Sequence, residues 1–97
     1  MIDTLSPRAQ GIVGLYEGLA PYAGGAVRLS TIRRYLGSYD RTEIDAALEE
    51  LADTDGVYLR AEEDQAGLTG QDRAAALRLG GQDRHNLAID WADIEED

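Results

Sequence analysis

Four arginines, Arg28, Arg33, Arg34 and Arg41, fall within residues 26–41, where only Asp40 opposes them, so this stretch carries a charge of +3. The remaining 81 residues hold five arginines and 18 acids, a charge of -13. A guanidinium stays charged at any physiological pH and presents a planar fork of N–H donors that fits a phosphate or the edge of a guanine. Clustered on an otherwise anionic chain, these four are the side chains best placed to form a binding surface. Arg41 can equally pair with Asp45 one helical turn later, and Arg33 and Arg34 can equally line a solvated helix face.

Catalytic chemistry has little to draw on. His85 is the only histidine, and there is no cysteine. Ser6, Ser30 and Ser38 are the only serines, and each stands where a helix cap or a turn accounts for it. No nucleophile–base pair follows, so no catalytic residue and no enzymatic activity are expected. His85, just before the last strand, reads as a satisfied edge residue. No Gly-rich phosphate loop is present. Asp53-Thr54-Asp55-Gly56 has the residue types of a calcium loop, but that register puts Leu51 at the first ligand position. The carboxylates at 62–64 and 93–97 read as solvated charge. No metal, no cofactor and no small-molecule substrate is implied.

The elements that must position the arginines are bounded by length and composition. Ninety-seven residues, 43% of them hydrophobic, suit one domain. Without cysteine the chain has no disulfide scaffold, and a cytoplasmic setting is expected. No apolar run approaches membrane-spanning length, and MIDTLSPRAQ lacks the basic-then-apolar order of a signal peptide. A net charge of -10 argues against non-specific attraction to nucleic acid or to anionic membrane. Abundant alanine, glycine and arginine without lysine point to a GC-rich source genome.

Ser6-Pro7 is a helix start, and Ile12, Leu15, Tyr16 and Leu19 share one face of a helix over 7–20 that Pro21 ends. Gly11, Gly14 and Gly18 interrupt it; they either admit another backbone or mark a weak helix held by tertiary packing. Val27 to Leu29 suits a very short strand. Ser30 or Thr31 caps a helix over 30–37 with Ile32, Tyr35 and Leu36 inward, and Gly37-Ser38-Tyr39 turns the chain. Asp40 and Glu43 form a capping box for a helix over 41–54 with Ile44, Ala47, Leu48 and Leu51 buried. Residues 57–62 and 86–91 alternate as half-buried strands, expected antiparallel. A helix over 70–79, capped by Thr69 and stopped by Gly80-Gly81, fills the long connection between them. Residues 92–97 form an acidic tail.

The run Leu36-Gly37-Ser38, then Arg41-Thr42-Glu43-Ile44-Asp45-Ala46-Ala47-Leu48-Glu49-Glu50-Leu51, then Gly56-Val57 resembles the winged helix-turn-helix domains of bacterial regulators. The resemblance covers about residues 7–62, with the last strand as the second wing strand. It implies an α+β fold, a three-helix core plus a two-stranded wing, here with an extra helix inserted in the wing. In such a fold the second helix, the turn and the start of the third helix lie nearest to phosphates and base edges. The resemblance therefore implies double-stranded DNA as partner and transcription regulation as role. Arg41 and Thr42 would sit at the groove, with Arg28, Arg33 and Arg34 on phosphates and Arg60 on the wing. Arg73, Arg78 or Arg84 could add contacts, and a homodimer would supplement the limited affinity of one small reading head.

Two departures support a competing role. Asp45 and Glu49 stand on the helix face that would meet phosphate, and the -13 outside the arginine stretch opposes approach to DNA. In the alternative reading the domain is a protein–protein interaction module, or a DNA mimic, docking on a partner or a second copy through Leu77 and Leu79 of the inserted helix or through Trp91. Ordinary core packing accounts for Leu77 and Trp91 as well.

Overall fold

The structure is a computed structural model that describes residues 5–90. Ser6 starts α1 (Pro7–Leu19): its Oγ accepts from the Ala9 amide at 3.2 Å, and Pro7 occupies the first turn. The same hydroxyl donates to Glu50 Oε1 at 2.7 Å while the Ser6 amide donates to Oε2 at 2.8 Å. One serine thus ties the start of α1 to the end of α3 (Arg41–Ala52). Ala9, Ile12, Val13 and Tyr16 are the buried stripe of α1, with Leu15 and Leu19 packed at its margin. Gly11, Gly14 and Gly18 are exposed, and a Cβ at any of them would meet nothing within 4 Å, so close backbone approach is not their role.

β1 (Val27–Arg28) runs directly into α2 (Leu29–Tyr35). Arg28 occupies the cap position and no side chain caps this helix; Ser30 and Thr31, the two expected caps, both lie inside it. Leu29 and Ile32 are buried, whereas Tyr35 is 61% exposed because α2 ends there and the chain turns away. In α3 the expected stripe Ile44, Ala47, Leu48 and Leu51 is buried. The expected capping box is absent: Asp40 makes no side-chain cap bond, and Glu43 pairs instead with Arg8 at 3.2 Å. Arg8 also stacks over the Tyr39 ring at 3.6 Å.

β2 (Val57–Arg60) and β5 (Asn86–Ile89) pair antiparallel, with Leu59 opposite Leu87. β5 is central, since β1 joins its other side with Val27 opposite Leu87, giving the order β1-β5-β2. The very short strand expected over Val27 to Leu29 is thus the third strand of this sheet, running as Val27–Arg28. Period-two alternation turns Val27, Val57, Leu59, Leu87 and Ile89 inward onto the helices, where each buried side chain contributes about 1.5–3 kcal/mol. Buried Tyr16 bridges helix and sheet, its hydroxyl 2.6 Å from the Gly25 carbonyl and 3.3 Å from that of Ile89.

The β2–β5 connection holds a 3-10 turn (Gln65–Gly67), α4 (Gly70–Ala74) and the antiparallel pair β3 (Leu77–Leu79) and β4 (Gln82–Arg84). The expected helix over 70–79 is thus one short helix and a strand. Thr69 and Asp72 form a capping box that starts it. Leu77-Arg78-Leu79 then alternates as a strand, and Gly80-Gly81, with φ of 62° and 79°, makes the hairpin turn. Leu77 is 4% exposed and belongs to the main core, and Leu79 packs at its edge. Leu77 is therefore core and not a docking residue. Trp91 and the tail lie outside the described residues. Among the described residues the molecule is α+β, four α-helices on a small antiparallel sheet.

Candidate functional site: the arginine groove between α2, α3 and α4

Three of the four clustered arginines meet at α4. Its C-terminal carbonyls have no helical partner, as at any helix end, and arginine side chains supply one. Arg41 Nη1 donates to the Ala74 carbonyl at 2.7 Å and Nη2 to that of Ala76 at 3.0 Å. Arg33 Nε donates to the Ala75 carbonyl at 2.7 Å. Asp45 holds both cations, 2.7 Å from Arg33 Nη2 and 3.7 Å from Arg41 Nε. Three successive backbone oxygens and one carboxylate thus engage two guanidinium groups. The Nη1 of Arg33 is shielded and has no hydrogen-bond partner among the described residues.

Asp72 fastens the other end of α4. It accepts from Ser30 Oγ of α2 at 2.5 Å and from the Thr69 amide at 3.1 Å, with Arg28 Nε at 3.8 Å. These contacts, led by the Ser30 hydroxyl and then the Thr69 amide, hold its carboxyl below the usual range. Arg28 lies 2.6 Å from Glu62 and 2.9 Å from Asn86 Oδ1. Glu62 is accordingly no solvated turn residue. Asn86, the Asp64 amide and Arg28 bring its carboxyl down to about 2. His85 is buried at the same junction, and its Nδ1 accepts from the Glu62 amide at 3.1 Å, which makes it structural.

Arg33, Arg34 and Arg41 line a shallow groove with Ser30, Gln71 and Ala74. Arg34 is exposed and, among the described residues, is the one arginine with no hydrogen bond, ion pair or ring contact. Thr42 is exposed on the first turn of α3. Arg60 lies apart, on β2, over the Tyr58 ring at 4.5 Å. The other polar positions on the open face of α3 are Glu43 and Glu49, with Asp45 and Glu50 half-exposed. Among the described residues no group of acids and histidine could hold a metal ion, and no helix is long and apolar enough to cross a membrane.

Arg84, which the sequence offered only as an extra contact, bonds the carbonyls of Leu59 at 2.7 Å and Leu79 at 3.2 Å, clamping the hairpin to β2. The signal available for this was Gly80-Gly81 between two alternating segments, a hairpin pattern that places Arg84 opposite Leu77. Comparison of the chain with protein-family models, with curated proteins and with solved structures gave no match.

Proposed function

We propose that this chain is a winged-helix domain that works as a protein-docking module. The element order α1-β1-α2-α3-β2-β5 and the sheet order β1-β5-β2 support the winged-helix reading, with the segment between β2 and β5 as an elaborated wing. The observation that carries the docking role is the attachment of Arg33 and Arg41 to the carbonyls of Ala74, Ala75 and Ala76. The guanidinium groups that would read or grip a duplex are engaged by the wing itself. The face of α3 left to solvent bears Glu49, which no cation opposes among the described residues and which phosphate would repel. Exposed, unengaged Arg34 and exposed Thr42 are the features that favour a duplex instead.

The two roles separate in one titration. A fluorescent random-sequence duplex at low ionic strength should show no saturable binding, although electrostatic attraction is strongest there. Saturable binding with a salt slope of several phosphates, reduced by Arg34→Ala, would overturn the docking role.

A further inference from the structure

A groove of about 700 Å³ runs along the outer edge of β2 between the end of α3 and the hairpin turn, lined by Glu49, Asp53, Tyr58, Leu79 and Arg84 among others. β2 is an edge strand. The Gly56 carbonyl accepts from the Asp90 amide and the Arg60 carbonyl from the His85 amide, both at 2.8 Å. Alternation then turns the backbone groups of Val57 and Leu59 away from β5. Two of these four groups are used: the Val57 amide donates to Thr54 and the Leu59 carbonyl accepts from Arg84. The Val57 carbonyl and the Leu59 amide have no hydrogen bond among the described residues. They flank Tyr58 as one acceptor and one donor, the pair that an added antiparallel strand would use with the two residues on either side of its own residue opposite Tyr58.

The wall beside this edge has one sign. α3 has no basic residue in its last turn, so the negative end of its dipole faces no cation of its own. Glu49 and Asp53 add two exposed carboxylates there, neither of them in an ion pair or a side-chain hydrogen bond among the described residues. The groove also holds two cations, Arg84 bonded to two carbonyls and Arg60 over the Tyr58 ring, so its negative side is the α3 wall. A chain of net charge -10 also draws a cationic segment towards it.

We propose that the open edge of β2 is a strand-addition site for an extended segment of a partner protein that sets a basic side chain against Glu49 and Asp53. This rests on the docking role above and names the chemistry of its partner. The backbone pair supplies register, and the acidic wall selects the side chain.

The test uses the full chain and a blocked hexapeptide of alternating valine and arginine, followed by amide NMR and hydrogen exchange. At saturating peptide, exchange of the Leu59 amide should slow about tenfold, and shift changes should concentrate on residues 57–60. The fully N-methylated peptide keeps the charges but cannot pair as a strand, and it should leave Leu59 exchange unchanged. Glu49→Gln with Asp53→Asn should weaken binding roughly fivefold. Equal effects from both peptides, or shifts centred on Arg34, would overturn the site. Duplex binding in the separate titration would overturn the docking role, whereas no duplex binding with an unprotected Leu59 overturns the groove alone.

Discussion

Arg33 and Asp45 come from successive helices and meet at 2.7 Å, with 12% and 29% of their side chains exposed. A surface arginine poised for a ligand would be stability-neutral when removed. Here the guanidinium also bonds Ala75, so Arg33→Ala removes a charged donor from two acceptors at once. Loss of about 1–3 kcal/mol is expected, read from the midpoint of urea unfolding at unchanged slope. A double-mutant cycle with Asp45→Ala should give positive coupling; independent effects would mean that the pair does not hold α2 to α3.

Arg41 acts more locally. Its side chain is half exposed, so Arg41→Ala should cost global stability only about 0.5–1 kcal/mol. Its carbonyl partners bracket the end of α4, a helix too short to stand alone. Hydrogen exchange should therefore speed up in residues 70–76 and stay unchanged in α3 and β5. Lysine in its place has no fork to reach both Ala74 and Ala76, and it should restore little of the protection.

Acid should loosen the same corner. Glu62 in the folded chain sits at about 2, lowered by Asn86, the Asp64 amide and Arg28, and Asp72 and Glu50 are also lowered. Each of these carboxyls binds a proton more readily in the unfolded chain, near pH 4.3 for a glutamate. The stabilisation from Glu62 is thus complete above that range and disappears as pH falls towards 2, and the contributions of Asp72 and Glu50 are lost in the same direction. Unfolding midpoints measured between pH 6 and pH 2.5 should drop along this limb, and Glu62→Gln should flatten it. An identical slope in the variant would show that Glu62 is not linked to folding.

The three helical glycines make a prediction of opposite sign. Gly11, Gly14 and Gly18 lie inside α1 with open space where a Cβ would stand. Each alanine replacement should raise stability by about 0.5–1 kcal/mol, and the three should add. A loss at any of them in thermal unfolding would mean that the bare backbone is needed for a contact made outside this chain.

What the sequence made legible follows the reach of each signal. Ser6-Pro7, the α3 stripe and the alternation around Leu59 and Leu87 are short-range patterns, and the structure bears them out. The Asp40–Glu43 box also fits its pattern, yet Arg8 from α1 takes Glu43, a competitor invisible in local spacing. Ser30 shows the same effect, since Asp72, 42 residues on, binds the hydroxyl expected to cap α2. The arginine cluster was legible as charge and not as chemistry, because its partners are carbonyls of Ala74, Ala75 and Ala76, which have no polar side chain to betray them. The misread boundary of α4 compounds this. With a helix drawn through residue 79, those carbonyls would have been engaged within the helix.

The hairpin gives the last prediction. Leu77 reaches the main core from a segment that sequence spacing offers as an interface, and Leu77→Ala should cost about 2–5 kcal/mol. That burial depends on the turn that follows it. Gly80 and Gly81 both hold positive φ, a conformation that strains most side chains. Gly80→Val with Gly81→Val should therefore destabilise the chain by a comparable amount, whereas Gly80→Asn should be nearly neutral, because asparagine tolerates this region. If valine at both positions leaves the unfolding midpoint unchanged, Leu77 keeps its place without the turn, and the connection from β2 to β5 is not the cooperative part of the fold that its packing implies.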